Sequence, residues 1–161
     1  MKKTDIKTLS DVQKFLNGIP YINCGGCGYS AYAIYLWLKK TNFEKIDKVK
    51  FVYLYSEVDY FYKTNEAFIK GERTNSTSSS HIMINLAGRK NNTKLIDSSP
   101  NGVDLSISKY IDECEFTVTK RHNDIDESIL RNSLKFGCWN SMFEKKYIKK
   151  IERILDIKFN I

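Results

Sequence analysis

The sequence predicts an α+β fold: a buried central helix that carries a cysteine, packed on an antiparallel β-sheet, with further helices toward the C-terminal end. Three observations lead there. Residues 31–38 (AYAIYLWL) are eight consecutive apolar or aromatic positions, so the helix they form is apolar on every side and has no face for water. Four later segments are short and rich in β-formers, and two of them are separated by a turn-forming stretch. The order runs from helices to strands to helices rather than strictly alternating, which argues against a doubly wound parallel sheet. A chain of 161 residues with no linker or repeat reads as one domain, 1–161, long enough to bury a core without staples.

Taken in order, Ser10 is the expected N-cap of a first helix over 11–17, with Val12, Phe15 and Leu16 on its inner face. Gly18 and Pro20 end it and lead into the turn Cys24-Gly25-Gly26-Cys27-Gly28, whose glycines allow a sharp bend and close backbone approach. The central helix follows and closes at Thr41-Asn42. Residues 49–55 (VKFVYLY) alternate as a strand, and 56–70 suit either a helix or a loop packed over a groove. The serine-rich stretch 71–80 (GERTNSTSSS) reads as a polar loop.

Strands are expected at 81–86 (HIMINL) and 94–97 (KLID), joined as a hairpin through AGRKNNT, and at 114–120 (CEFTVTK). His122 falls in a charged loop, KRHND. Asp124 is the expected cap of a helix reaching about Phe136, with Asp126 and Glu127 in its first turn. Asn140 is the expected cap of a last helix over 141–155, with Phe143, Tyr147, Ile151 and Ile154 as its buried stripe.

The charge balance, 26 basic against 19 acidic side chains, leaves +7. Net charge alone specifies partners weakly, and no basic block or recognition motif accompanies it, which argues against nucleic acid as the main partner. No segment has the length of a membrane span, and the N-terminal stretch lacks the apolar core of a signal peptide. The expected setting is the reducing cytoplasm, with the four cysteines as free thiols, Cys114 and Cys138 among them as buried apolar fillers.

A cysteine at the head of a buried helix meets unpaired backbone N–H groups and the positive end of the helix dipole, both of which favour thiolate. Such a nucleophile needs a base in hydrogen-bond reach and a group to orient that base. Only two histidines are present. His81 opens a strand, and Asp97 ends the next one across a hairpin turn, so the two are expected as neighbours on adjacent strands, with Cβ atoms roughly 5 Å apart. Asp97 would then set the tautomer of His81, and His81 would polarise Cys27.

These residues resemble the papain-like and transglutaminase-like cysteine peptidase superfamily. Cys-Gly-Gly-Cys-Gly-Tyr-Ser-Ala heading a buried helix looks like the active-site helix of papain-like peptidases. A strand opening with His81, followed by one ending Asp97-Ser98-Ser99, looks more like the transglutaminase-like branch; the likeness spans roughly residues 20 to 100. It implies a core of that type, Cys27 as nucleophile, His81 as base, Asp97 as orienting residue and Cys24 as a supporting, non-catalytic cysteine. It also implies acyl transfer through a thioester on a protein or peptide substrate, with no cofactor and no metal. The superfamily's oxyanion-hole glutamine has its place at Tyr21, so Asn23 is the alternative side-chain donor, beside the backbone N–H of Cys27. Other chemistries use the same residues: Cys24 and Cys27 could form half a zinc site, though no second ligand pair has the spacing, or a redox dithiol, though a helix and Pro20 precede the motif instead of a strand. A non-catalytic module that uses the groove for recognition is the alternative from a different class.

Overall fold

A computed structural model describes residues 3–22, 26–55, 62–72, 80–86, 95–98, 120–135 and 143–161. Its regular elements are α1 (Leu9–Asn17), α2 (Cys27–Lys40), β1 (Lys50–Tyr55), α3 (Tyr62–Ile69), β2 (Ser80–Asn85), β3 (Leu95–Ile96), β4 (Lys120–Ile125), α4 (Glu127–Lys135) and α5 (Lys145–Leu155), with short 3-10 turns at Lys3–Asp5 and Ile46–Lys48. The four strands form one antiparallel sheet in the order β3-β2-β1-β4, so the fold is α+β.

α1 begins earlier than its sequence suggests. Thr8, not Ser10, is the N-cap: its hydroxyl accepts from the N–H of Asp11, and the Asp11 carboxylate returns a bond to the N–H of Thr8 at 2.8 Å. This reciprocal pairing satisfies two orphan donors, which Ser10 inside the first turn could not do. The hydrogen bonds at the exposed Thr8 and Lys7 also hold the Asp11 carboxyl below its ordinary range.

α2 is apolar all round because it is covered on more than one side. Its Tyr29 hydroxyl donates to the carbonyl of Leu134 in α4 at 3.2 Å. Its Tyr32 and Tyr35 hydroxyls donate to the two oxygens of Glu127 at 3.1 and 3.0 Å, so Glu127 fastens α4 to α2 besides standing in the first turn of its own helix. Burial first, and the Glu127 carboxylate second, push both phenols up to about 12. At the far end, Lys40 pairs with Asp156 at 2.6 Å, just past the end of α5. The helix also packs on β2, and Ala31, Ile34 and Leu38 are buried at helical spacing.

β1 and β2 pair from Lys50↔Asn85 to Tyr55↔Ser80, and Phe51, Tyr53, Ile82, Ile84 and Ile96 join the core cluster built around α1 and α2. On the other flank, β4 pairs with β1 from Tyr55↔Lys120 to Phe51↔Ile125, with a bulge between Phe51 and Val52. His122 and Asp124, expected in a loop and at a helix cap, are thus part of a strand. KRHNDI lacks apolar alternation, and backbone pairing to β1 places it in the sheet.

The last two helices are shorter than expected. α4 starts at Glu127, after β4 has used Asp124 and Ile125, and α5 starts at Lys145 with Glu144, not Asn140, as its N-cap. α5 ends on Asp156 in the left-handed region, φ 55°, and the N–H of Ile157 bonds back to the carbonyl of Glu152. The region 56–70 yields the helix α3, whose Phe68 packs its ring against Tyr53, with centroids 4.7 Å apart. The strand expected at 114–120 lies outside the described residues except for Lys120, as do most of the loop 71–80, Cys114 and Cys138.

Candidate active site

Gly26 caps α2 and Cys27 is its first residue. The close approach expected of this turn is visible at Gly26: a Cβ there would lie 2.7 Å from the Ile22 Cα, from the Ile22 carbonyl oxygen and from the Phe143 ring. Two of these are backbone atoms, so no side chain larger than hydrogen fits without moving the chain that leads into Cys27. Gly26 offers no side chain to cap the helix, so no N-cap side chain takes up its first-turn N–H groups. Cys27 is a free, buried thiol.

His81 is the second residue of β2, opposite Leu54. Its Nε2 donates to Oδ2 of Asp97 at 2.8 Å, and both side chains are buried. The pairing is diagonal rather than direct. β2 and β3 pair Ile84 with Ile96, so continuing that register sets Asp97 opposite Met83, two residues along from His81. Diagonal positions are ~7–8 Å apart at Cα, a span that an imidazole and a carboxylate bridge together.

Cys27 lies near enough to His81 to act on its imidazole. Burial alone would push His81 down, but the hydrogen bond to Asp97, then the nearby Cys27 thiol and the charge of Asp97, override it and raise the imidazole from 6.5 to about 10. The three residues therefore form one buried cluster, a bonded carboxylate–imidazole pair with a thiol beside it, drawn from β3's end, β2's start and α2's start. α2 and β2 run alongside in the same direction: Cys27 lies at His81, while Tyr35 meets Phe51, the partner of Ile84, with ring centroids 5.3 Å apart. Eight helical residues span ~12 Å and three strand residues ~10 Å, so the two elements keep step.

Tyr21 stands outside this cluster. It is 51% exposed and has φ 60°, so its ring points to solvent where an oxyanion donor was expected. Asn23 and Cys24 lie outside the described residues.

Three polar residues around the cluster were not singled out from sequence. Gln13 of α1 is buried, and its Nε2 donates to the backbone carbonyl of Asp97 at 2.9 Å, fixing the carboxylate's main chain from the helix side. A signal for it existed: Gln13 sits four residues after Leu9 and three before Leu16, inside the apolar stripe where a polar side chain must find a partner. Ser98, next to Asp97, is fully buried. Ser30, one turn after Cys27, is 1% exposed, and its hydroxyl has no hydrogen-bond partner.

Among the described residues, no group of three or more His, Cys, Asp or Glu side chains is disposed to hold a metal ion, and no helix is long and apolar enough to cross a membrane. Comparison with protein-family models, with curated proteins and with solved structures finds no match.

Proposed function

We propose that the protein is a cysteine-dependent acyl-transfer enzyme on a papain-like or transglutaminase-like core, with Cys27 as nucleophile, His81 as acid and base, and Asp97 as the residue that orients His81. The observation that carries this reading is the buried His81–Asp97 pair with the Cys27 thiol beside it at the head of a helix. A nucleophile, a base in contact with it, and a third group fixing that base is the arrangement that activates a weak nucleophile.

The sulfur of Cys27, having given its proton to His81, attacks the carbonyl carbon of an amide. The oxygen of the tetrahedral intermediate is met by backbone N–H groups at the start of α2, that of Cys27 among them. The C–N bond then breaks as the His81 imidazolium protonates the leaving amine, and the acyl group stays on sulfur as a thioester. Water, or a second amine, gives its proton to His81 as it attacks the thioester and releases the acyl group. Hydrolysis of a peptide or isopeptide bond is the first choice of reaction, with amine transfer next, and the substrate is a protein or peptide. A free thiol nucleophile suits a reducing compartment, the cytoplasm.

One observation favours a second reading, a non-catalytic module on the same fold: Cys27 and His81 are only 4% and 7% exposed, whereas reactive cysteines are commonly part-exposed. Iodoacetamide labelling with peptide mapping separates the two. The enzyme reading expects Cys27 to alkylate faster at pH 6 than ordinary thiols do, and expects His81→Ala to remove that advantage. Labelling of Cys27 no faster than that of an unfolded thiol, in wild type and variant alike, would overturn it. Cys24→Ser should be mild and Cys27→Ser inactivating; the reverse pattern would point to a redox dithiol.

A further inference from the structure

A second site lies on the side of α2 that α4 and α5 cover. Lys135 at the end of α4, and Lys145 and Lys149 one turn apart on α5, line a cavity of about 450 Å³ with Tyr29, Ile148 and Phe159. Neither ring is loose: Tyr29 stacks on Phe143 with centroids 4.9 Å apart and meets Phe159 edge-on at 6.0 Å.

The charges around this cavity are unbalanced. Among the described residues, the ion pairs are Lys40 with Asp156, Lys146 with Glu144, and His81 with Asp97; none involves the three cavity lysines. The cavity's own carboxylate, Glu152, accepts a hydrogen bond from the N–H of Phe159 at 3.0 Å instead. Lys145 and Lys149 are four residues apart on one helix, an arrangement in which like charges repel. A dianion among three ammonium groups would relieve that repulsion, and an apolar body attached to it would meet the aromatic and aliphatic floor.

We propose that this cavity binds an organic phosphate monoester, with the phosphate held by Lys135, Lys145 and Lys149 and the apolar part against Tyr29, Ile148 and Phe159. A phosphate monoester carries a charge of about −1.5 to −2 at neutral pH, which matches three lysines better than a single carboxylate does. The cavity is of the size that holds one small molecule, too small for a folded partner or a stretch of nucleic acid. This site is separate from the Cys27 cluster and does not depend on the reaction proposed for it.

The test is isothermal titration of the full chain with 1-naphthyl phosphate, inorganic phosphate and 1-naphthol. The expected result is that naphthyl phosphate binds at least about tenfold tighter than either fragment and that added salt weakens it. Lys145→Glu with Lys149→Glu, both on the outer surface of α5, should abolish binding while thermal unfolding stays cooperative. Ile148→Ser should weaken naphthyl phosphate but not inorganic phosphate, and Cys27→Ser should leave both unchanged. Binding of naphthyl phosphate no tighter than inorganic phosphate, binding unchanged in the double lysine variant, or no binding at millimolar concentration would each overturn the proposal.

Discussion

His81 and Asp97 are hydrogen-bonded at 2.8 Å although they are not cross-strand partners: the register of β2 with β3 sets Asp97 opposite Met83, and the imidazole reaches it along the diagonal. Their bond therefore depends on two held side chains more than on the sheet ladder. The carboxylate's backbone is fixed separately, by Gln13 from α1.

Asp97→Asn separates charge from shape. The amide keeps the size and can keep one hydrogen bond to Nε2, but it removes the negative charge that favours the imidazolium. The variant should fold, while Cys27 loses its fast alkylation at pH 6 and any acyl-transfer rate falls by about 10²–10⁴-fold, the usual range for positioned acid–base catalysis. Asp97→Ala should in addition lose ~3–5 kcal/mol in urea unfolding, because it leaves a buried imidazolium without its carboxylate.

Stability should fall toward alkaline pH. His81 binds its proton more tightly in the folded chain, about 10 against an ordinary value of 6.5. A raised folded value means that its contribution is fully present below about pH 6.5, declines as pH rises above that, and is gone above about pH 10. Urea midpoints measured from pH 6 to 10 should therefore decrease in wild type more than in His81→Gln. Equal slopes in the two proteins would contradict the linkage. If the enzyme reading holds, catalysis should also fall on the alkaline side as His81 loses the proton that the leaving amine requires.

Gly26→Ala should be costly although it adds only a methyl group. That methyl would press on the Ile22 backbone and the Phe143 ring at 2.7 Å, and the backbone atoms cannot rotate away. Overpacking of this kind costs ~1–3 kcal/mol. Because the displaced segment leads directly into Cys27, alkylation of the thiol should slow even at temperatures where the variant is fully folded. Paired urea unfolding and labelling kinetics check both parts.

What could be read from the residues divides along physical lines. α2 was legible because eight apolar residues in a row admit no other economical burial, and the pairing of His81 with Asp97 because only two histidines were available to meet that carboxylate. β4 was not, since KRHNDI is held in the sheet by backbone hydrogen bonds to β1, and backbone pairing leaves no mark on the residue pattern. Helix starts misled for a related reason: Ser10, Asp124 and Asn140 are all good caps in isolation, but the ends are set by which residue's backbone leaves the neighbouring element, giving Thr8, a start after β4, and Glu144. The diagonal at Asp97 depends on register, which two short strands do not specify in advance.

Ser30→Ala tests whether an unpaired hydroxyl beside Cys27 serves the fold or the chemistry. The hydroxyl is buried one turn along α2 from the thiol, and it has no hydrogen-bond partner. If it serves only the fold, it is a desolvated polar group with no return, and alanine, the better helix former, should raise stability by ~1 kcal/mol with alkylation of Cys27 unchanged. If the hydroxyl meets a group that arrives with substrate, the same stabilisation should be accompanied by a loss in kcat/KM, since the free chain holds it unsatisfied in readiness. Thermal unfolding together with turnover of an activated amide distinguishes the two outcomes. A loss of stability would refute both, because it would mean that the hydroxyl already has a partner in the folded chain.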